Sequence, residues 1–248
     1  MLTTDQLITP QWQAPAGVKA LATTRLGGVS QAPFDALNLG AHVNDRIDDV
    51  LQNRQLLNAF LPASPVWLQQ VHGVVVVDLD QPHDEIPAAD AVISRRKGQV
   101  CAVQTADCLP VLFTDVHGTV VGAAHAGWRG LCNGVLEATL AAMAVEPADV
   151  LVWLGAAIGP KAFEVGDEVC EAFIAVDPNA AQAFVAGKPG KWLADIYELA
   201  RLRLQKAGMS PHHMFGGDLC TYTDKQRFFS YRRDQQTGRQ ASLIWLDQ

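Results

Sequence analysis

Short runs of β-branched and other apolar residues recur along the chain and predict strands. They occupy residues 18–24, 91–94, 100–104, 111–114, 119–124, 150–154 and 241–246. Residues 66–77 are also expected to be extended, with a bend or bulge at Gly73, immediately after His72. The turn-forming residues 115–118 predict a hairpin that joins two of these strands.

Apolar residues spaced three and four positions apart predict helices between the strands. The first helix runs from a cap at Asp45 to about residue 60, and the second follows Gly130 as one continuous helix. Two further helices are expected at residues 168–176 and 195–207. The last of them begins at Asp195, whose side chain is suited to capping the first turn.

Consecutive strands in the middle of the chain, with helices placed irregularly between them, favour an α+β fold over a regular doubly wound sheet. The chain has 248 residues, of which 49% are hydrophobic, and this is enough for a substantial core. No linker rich in Pro, Gly or Ser divides the chain, and the loop at 187–190 is expected to join elements of one unit. We therefore predict a single domain over residues 1–248.

The formal net charge of −7 favours solubility and argues against a general nucleic-acid or membrane-surface role, without excluding a local basic pocket. The N-terminal residues show no secretory signal, and the longest aliphatic run, residues 74–77, is too short to span a bilayer. Five cysteines, an odd number, indicate free thiols in a reducing compartment. We expect a cytoplasmic protein, and a monomer because no exposed apolar stripe is left over.

Candidate metal ligands occur at three points where an apolar strand pattern runs into a turn: His72, Cys108 and His125. They are separated by 36 and 17 residues, which is not a zinc-finger spacing, so they would come from separate strand ends. Two imidazoles and a thiolate hold zinc with a fourth position free, as in a catalytic site. A buried cysteine is also a common core residue, and the residue types alone leave both interpretations open. The histidines not expected to be ligands are His42, His83, His117, His212 and His213.

Several longer motifs extend around these candidates. They are TADC at 105–108, HAGWRG at 125–130, IGP at 158–160, FEVG at 163–166, GGVS at 27–30, LNLG at 37–40, FSYRRD at 229–234 and TGR at 237–239. Together they resemble the bacterial family long labelled polyphenol oxidase or laccase domain, which is also called the peptidoglycan editing factor family. The resemblance covers nearly the whole chain.

The resemblance implies a mixed fold of sheets layered against helices, similar to an α/β/β/α arrangement. It also implies a zinc ion held by His72, Cys108 and His125, which would then be the catalytic residues. The implied activity is phosphorolysis of the purine nucleosides adenosine, inosine, guanosine and methylthioadenosine, with adenosine deamination as a second activity. Many members carry cysteines after the Ile-Gly-Pro motif, where this chain has Lys161 and Ala162, so no ligand or nucleophile is expected there.

Phosphorolysis requires a phosphate site, and arginines beside flexible turns are its candidates. Arg25 precedes a glycine-rich loop and is the first choice, with a structural salt bridge as the competing role. The other candidates for substrate or phosphate binding are Arg129, Arg232, Arg233 and Asn44. Asp90 and Glu164 are candidate polar residues of the pocket, and Asp107 is a candidate for orienting a metal ligand.

Other activities remain open from the residues alone. Cys108 and His125 suit the nucleophile–base pair of a hydrolase or amidase, which would act on a cell-wall precursor. A copper-dependent polyphenol oxidase is less favoured, because seven histidines without a His-x-His pair are too few for a multicopper centre. Copper could nevertheless occupy the His/Cys/His site in a purified sample. A metal-dependent binding module is the non-enzymatic alternative.

Overall fold

In the computed structural model, which describes residues 2–247, most regular structure consists of short strands and six α-helices. The strands are β1 (Leu7–Ile8), β2 (Val18–Thr23), β3 (Val76–Asp78), β4 (Ala91–Ser94), β5 (Val100–Thr105), β6 (Leu109–Asp115), β7 (Val121–Ala126), β8 (Val150–Leu154), β9 (Glu164–Gly166), β10 (Phe184–Ala186), β11 (Lys191–Ala194), β12 (Met214–Gly216) and β13 (Gln240–Leu246). The helices are α1 (Ile47–Asn58), α2 (Trp128–Asn133), α3 (Val135–Met143), α4 (Asp167–Val176), α5 (Ile196–Lys206) and α6 (Tyr231–Asp234). Within this part of the chain, no helix has the length and apolar character needed to cross a membrane.

The strands form three sheets, of which the largest has six strands in the order β12-β8-β6-β7-β4-β3. Its central strands are antiparallel, and each edge strand pairs in parallel with its neighbour. A four-stranded antiparallel sheet has the order β1-β2-β13-β5, so the last strand of the chain lies between two earlier ones. Strands β10, β11 and β9 form a small antiparallel sheet. This mixture of pairings, together with the helices, confirms the predicted α+β class.

The two larger sheets pack face to face, and helices cover their outer faces. Leu112 and Ala123 of the six-stranded sheet and Val103 and Ile244 of the four-stranded sheet belong to one buried cluster. Helices α2 to α5 pack on the other face of the six-stranded sheet, and α1 packs on the four-stranded sheet through Leu57. The α/β/β/α layering implied by the resemblance is therefore confirmed. Because strands β4 to β8 are buried on both faces, their sequences are continuously apolar rather than alternating.

Most predicted elements are confirmed, and the largest difference concerns the helix expected after Gly130. Two helices occupy this segment, α2 and α3, because Gly134 between them has a left-handed backbone with φ of 101°. Glycine adopts this conformation without steric cost, so it ends one helix while the apolar stripe continues into the next. Gly130 itself lies inside α2. The cap predicted at Asp195 is confirmed, since its carboxylate accepts hydrogen bonds from the first turn of α5.

The start predicted for the first helix is wrong. Helix α1 begins at Ile47 and has Arg46 as its N-cap residue. The carboxylate of Asp45 instead accepts hydrogen bonds from Ser30 Oγ at 2.6 Å and from Asn38 Nδ2 at 2.9 Å. A tertiary contact to a preceding loop has therefore replaced the local capping contact.

The segment predicted to be extended, residues 66–77, forms a regular strand only at its end. The segment makes isolated bridges only, and β3 begins at Val76. The bend predicted at Gly73 is confirmed, and it includes His72, whose backbone is left-handed with φ of 62°. Strands β1 and β9 to β12 and helix α6 have two to four residues each, which is too few for a repeated pattern of apolar residues to be recognised.

Candidate metal centre

Cys108 and His125 are brought together by the pairing of two neighbouring strands. Cys108 lies in the turn before β6, and His125 lies in β7 directly opposite Pro110 of β6. His72 reaches the same point from the irregular segment before β3. One ligand atom from each of the three residues lies within 4.8 Å of the others, and Cys108 Sγ is 3.8 Å from His72 Nε2. The structure therefore places the three predicted ligands in one cluster.

Asp90, completely buried just before β4, contacts two of the three candidate ligands. Its Oδ1 accepts hydrogen bonds from the backbone N–H of His72 at 2.9 Å and from His125 Nδ1 at 2.8 Å. Its Oδ2 accepts hydrogen bonds from the backbone N–H groups of Val71 at 3.2 Å and Gly73 at 2.6 Å. Because a carboxylate only accepts, it keeps a proton on Nδ1 of His125 and leaves Nε2 available to the cluster. The same carboxylate holds the left-handed backbone at His72.

Gly127, the N-cap residue of α2, leaves the space in which the ligands meet. A Cβ atom at this position would lie 2.7 Å from His72 Cδ2 and 3.1 Å from Cys108 Sγ. The first distance is well below an ordinary carbon–carbon contact of about 3.5–4.0 Å. A residue with a side chain here would push the histidine away from the cysteine.

The members of the cluster change one another's acidity. Burial alone would raise the pKa of the Cys108 thiol, but the imidazoles of His125 and His72 lower it to about 6. Burial alone would lower the pKa of His125, but Cys108 and Asp90 raise it to about 9. The thiolate of Cys108 is therefore favoured at neutral pH, and the thiolate is the form that binds metals and attacks electrophiles.

The donor set fits a soft or borderline metal ion. A thiolate and two imidazoles are typical ligands of zinc and of copper, and three protein ligands leave a position for substrate or water. Among residues 2–247, this is the one group of three or more His, Cys, Asp or Glu side chains arranged so that it could hold an ion. The remaining histidines lie outside it.

The cluster lies in the wall of a cavity of about 440 Å³, which is within the usual size range of small-molecule sites. The wall combines the candidate metal ligands with aromatic rings, basic groups and other polar groups. The aromatic residues are Trp128, Phe163 and Tyr231, and the basic residues are His42, Arg232 and Arg239. The other polar residues are Gln70, Gln104, Thr105 and Asp107.

Of the arginines predicted to bind substrate or phosphate, Arg232 lines this cavity. Arg25 and Arg233 line a separate, more open cavity. There, Arg25 forms an ion pair with Asp35 at 3.3 Å, and Arg233 forms one with Asp234 at 2.7 Å. Both guanidinium groups also donate hydrogen bonds to backbone carbonyls. The competing interpretation of these two residues, a structural salt bridge, therefore agrees with their contacts.

Arg129 and Asn44 are exposed and are not among the residues that line the cavity beside the cluster. The guanidinium carbon of Arg129 lies 4.3 Å from the centroid of the Trp128 ring. Glu164 contributes its backbone, since its carbonyl accepts a hydrogen bond from Arg232 Nη1 at 2.7 Å, and it is exposed. These residues border the site or support a wall residue, and no direct contact connects them with the cluster.

The carboxylate that orients the candidate ligands is that of Asp90, and not that of Asp107 as the sequence suggests. Asp107 accepts hydrogen bonds from Thr221 Oγ1 at 2.6 Å and from the backbone N–H of Arg232 at 2.8 Å. It thereby connects the turn between β5 and β6 to α6, which carries Tyr231 and Arg232 at the cavity wall. Both aspartates precede a strand, so local sequence does not distinguish them.

Several polar wall residues are not predicted by the sequence pattern, among them Arg239, Gln70 and Gln104. Gln70 exchanges two hydrogen bonds with the backbone of Gln104, at 2.7 and 2.8 Å, which joins the segment before His72 to β5. Only Arg239 has a recognisable sequence signal, since it ends the Thr-Gly-Arg motif before β13.

This chain is similar to known proteins over nearly its whole length. A family model described as multi-copper polyphenol oxidoreductase laccase matches residues 19–247. The chain is 57% identical over 244 residues to the Escherichia coli protein named purine nucleoside phosphorylase YfiH, covering 98% of this chain and 99% of that protein. It is 55% identical over 240 residues to the Pseudomonas aeruginosa protein named purine nucleoside phosphorylase PA4543, covering 96% of this chain and 98% of that protein.

Solved structures with the same fold include two bacterial proteins. The protein NMB0706 of Neisseria meningitidis superposes with a TM-score of 0.92 at 49% identity, over 98% of this chain and 100% of that one. YlmD of Geobacillus stearothermophilus superposes with a TM-score of 0.86 at 32% identity, over 96% and 99% of the two chains. The layered α+β fold is shared along the full length of both neighbours.

Proposed function

The chain belongs to the multi-copper polyphenol oxidoreductase laccase family, and from that premise we propose that it is a purine nucleoside phosphorylase. The observation that carries the proposal is the position of the cluster of His72, Cys108 and His125 in a cavity wall that also holds aromatic rings and arginines. Nearly full-length similarity to relatives bearing this name supports it. Residues 1–248 would then act as one catalytic domain.

In the proposed reaction, an oxygen of phosphate forms a bond to C1′ of the nucleoside while the C1′–N9 bond breaks. The electron pair of that bond leaves with the purine, which takes up a proton, and the products are the free base and ribose 1-phosphate. The transition state resembles an oxocarbenium ion, so the site must hold an anion close to C1′. The rings of Trp128 and Phe163 suit stacking against a purine, and Arg232 suits contact with an anionic oxygen.

His72, Cys108 and His125 are the proposed ligands of a zinc ion, and copper would compete for the same donors in a purified sample. When bound, the ion supplies a Lewis acid beside the substrate. The contribution of Asp90 is to keep the proton of His125 on Nδ1 and to hold the segment that carries His72. Gly127 keeps the space between the ligands open.

The proposed substrates are adenosine, inosine, guanosine and methylthioadenosine, together with phosphate. We also propose adenosine deamination in the same cavity, in which water replaces the amino group at C6 and ammonia leaves. The expected partners are thus small molecules, and neither nucleic acid nor a membrane is an expected partner. The monomeric state and the cytoplasmic location stay predictions.

A cysteine hydrolase or amidase acting on a cell-wall precursor is the second candidate function. The lowered pKa of the Cys108 thiol and the raised pKa of His125 suit a thiolate–imidazolium pair, in which the thiolate is the nucleophile and the imidazolium donates a proton to the leaving group. An ion bound to the thiolate would remove this reactivity, so the two candidates exclude each other at one site. A multicopper oxidase is less favoured, because the one three-ligand cluster found among residues 2–247 provides for a single ion.

Product analysis of the metal-quantified protein with adenosine, with and without phosphate, tests the proposal. Adenine and ribose 1-phosphate, formed only when phosphate is present, are the expected products. Inosine formed without phosphate would support the deaminase activity. Adenosine left intact in both reactions by zinc-loaded protein would overturn nucleoside chemistry. Stoichiometric alkylation of Cys108 in that loaded protein would then favour the amidase.

A further inference from the structure

Arg239 is a half-buried cation in the cavity wall, and it forms no ion pair with a carboxylate among residues 2–247. Its Nη1 donates hydrogen bonds to the backbone carbonyls of Thr237 and Gly238, both at 3.0 Å. Its aliphatic stem lies against Gly40, where a Cβ atom would be 2.8 Å from Arg239 Cγ. Burial lowers the pKa of Arg239, while Cys108, Asp107 and Tyr231 act in the opposite direction without forming an ion pair with it. A guanidinium held in such surroundings without a carboxylate is suited to an anionic ligand.

Arg239 belongs to a local group of basic side chains. Arg54 is also half-buried, donates two hydrogen bonds to the Leu39 carbonyl at 3.0 and 2.9 Å, and stacks on the Trp67 ring. The imidazole of His42 lines the same cavity as Arg239. Burial, Arg239 and Arg54 together lower the pKa of His42, so the three groups lie within one electrostatic field. In a chain of net charge −7, the guanidinium groups of Arg239 and Arg54 place positive charge beside the cavity, and His42 is a neutral hydrogen-bonding group near them.

Thr105 supplies an independent sign of a ligand. The residue is 2% exposed and lines the cavity, and its Oγ1 has no hydrogen-bond partner among the described residues. Buried hydroxyl groups are nearly always hydrogen-bonded, so the unpartnered Thr105 hydroxyl is an unsatisfied hydrogen-bonding group beside the cavity. Thr105 pairs with Gln240 across β5 and β13, and Arg239 directly precedes Gln240. The backbones of Thr105 and Arg239 are therefore close to each other, and both residues line the cavity.

We propose that Arg239, Thr105 and His42 form a subsite for a phosphate oxyanion. Arg54 adds positive charge to the region. The chemistry suits either free phosphate or the phosphomonoester of a nucleotide, and its assignment to the nucleophile of phosphorolysis rests on the proposed function. The subsite differs from the sequence prediction, in which phosphate binds at Arg25, because the guanidinium of Arg25 is already in an ion pair.

Calorimetric titration of the metal-loaded protein with inorganic phosphate, at constant ionic strength, tests the subsite. Arg239→Gln removes the charge and keeps most of the stem, and we expect it to weaken phosphate binding by about tenfold to a hundredfold. Arg239→Lys keeps the charge without the planar fork and should give an intermediate affinity. Thr105→Val keeps the shape and removes the hydroxyl, which should weaken binding by about threefold to tenfold. Arg96→Gln, an exposed arginine paired with Asp80, is the matched control and should bind as wild type does.

Titration with adenosine 5′-monophosphate distinguishes the two sources of the oxyanion. Binding of phosphate but not of the nucleotide, when it depends on Arg239, assigns the subsite to the free nucleophile. The reverse result assigns it to a phosphomonoester. In steady-state assays of phosphorolysis, Arg239→Gln should raise the KM for phosphate with little change in the KM for adenosine. Thermal unfolding establishes that each variant is folded.

Two results would overturn the subsite: wild-type affinity for phosphate in folded Arg239→Gln protein, or no saturable binding of either ligand by the wild type. The first would leave the proposed function standing if ribose 1-phosphate is still formed. Conversely, binding of phosphate through Arg239 without formation of ribose 1-phosphate would overturn the proposed function and keep the subsite. The phosphate subsite and the proposed function can therefore be overturned independently of each other.

Discussion

The β6–β7 hairpin has two ends, and each depends on one buried carboxylate in a different way. At the closed end, Asp115 accepts hydrogen bonds from the backbone of residues 119–120 at 2.6 and 3.1 Å, only a few positions along the chain. At the open end, Asp90 accepts hydrogen bonds from His125 and from the segment that contains His72. The closed end is thus organised within one turn, and the open end joins three distant segments.

The two carboxylates are therefore expected to affect different properties. Asp115 contributes to the stability of the fold, and Asp90 to the assembly of the candidate metal centre. Loss of the carboxylate at the closed end removes hydrogen bonds inside a turn and leaves the distances between the candidate metal ligands unchanged. Loss of the carboxylate at the open end releases a histidine ring and the loop that carries another histidine. Substitutions at the two ends should therefore change different observables, namely the free energy of unfolding and the affinity for metal.

Removal of a ligand at the open end should have the largest effect. Cys108→Ser replaces the thiolate with a hydroxyl, which is a much poorer zinc ligand, so we expect metal content to fall to background and phosphorolysis to be lost. Elemental analysis of dialysed protein measures the metal. Cys220→Ser changes a cysteine outside the cluster and should keep stoichiometric zinc. Zinc retained by folded Cys108→Ser protein would contradict the ligand assignment.

Asp90→Asn should come next in magnitude. Its amide group would point N–H donors at backbone N–H groups that now donate to Asp90, and the proton on His125 Nδ1 would no longer be held by a charged acceptor. We expect zinc affinity to fall by about tenfold to a hundredfold, measured by competition with a chelator. Asp115→Asn is the matched control, and an equal loss of affinity in both variants would show that the two ends are not distinct.

Asp115→Asn should reduce the free energy of unfolding while metal affinity stays unchanged. The variant replaces a charged acceptor of two backbone N–H groups and of Thr119 Oγ1, and we expect a loss of about 1–3 kcal/mol in urea denaturation. A stability equal to that of the wild type would show that the turn does not need the charge.

The contribution of Asp115 should also depend on pH. Burial would raise the pKa of Asp115, but hydrogen bonds from Thr119 and Val120 lower it below its ordinary value. A carboxylate with a lower pKa in the folded state stabilises the fold above its unfolded pKa of about 3.9, and this stabilisation is lost as pH falls through the folded value. The stability difference between wild type and Asp115→Asn should be constant near neutrality and shrink below about pH 4. A difference that grows in acid would contradict this origin.

Gly118→Ala should have the smallest effect, and this effect should again be on stability and not on metal affinity. Gly118 has φ of 64° in the turn, and a side chain there costs about 1 kcal/mol from backbone strain. Its Cβ would also lie 3.1 Å from Pro15 Cβ, a contact that small shifts can relieve. Thermal unfolding should detect the loss, and zinc affinity should equal that of the wild type.

Local elements were accessible from the sequence because their causes are local. The strands predicted at 91–94 and 150–154 coincide with β4 and β8, and the turn at 115–118 joins β6 to β7. The division of the segment after Gly130 into two helices could not be predicted from the sequence. The apolar stripe continues past Gly134, the left-handed residue that separates them. A single left-handed residue does not change the spacing of the apolar residues, so their pattern does not reveal it.

The three candidate ligands could be predicted from the sequence, whereas the roles of Asp90 and Arg239 could not. His72, Cys108 and His125 are recognisable from their chemistry and from the motifs around them. Asp90 has the sequence context of many aspartates that precede a strand, and only its four hydrogen bonds distinguish it. Arg239 ends a recognisable motif, but the motif does not show that it lines the cavity of the candidate metal centre and, unlike Arg25, forms no ion pair among residues 2–247.

The main strands and helices, the turn at the closed end of the hairpin and the chemical identity of the candidate ligands are predictable from local sequence. These properties follow from apolar periodicity, turn chemistry and side-chain donors, which act over a few residues. The carboxylate that orients the ligands and the arginines that line the cavity are apparent only in the folded protein. Those outcomes depend on distances between segments far apart in the chain, and such distances exist only once the two sheets have packed.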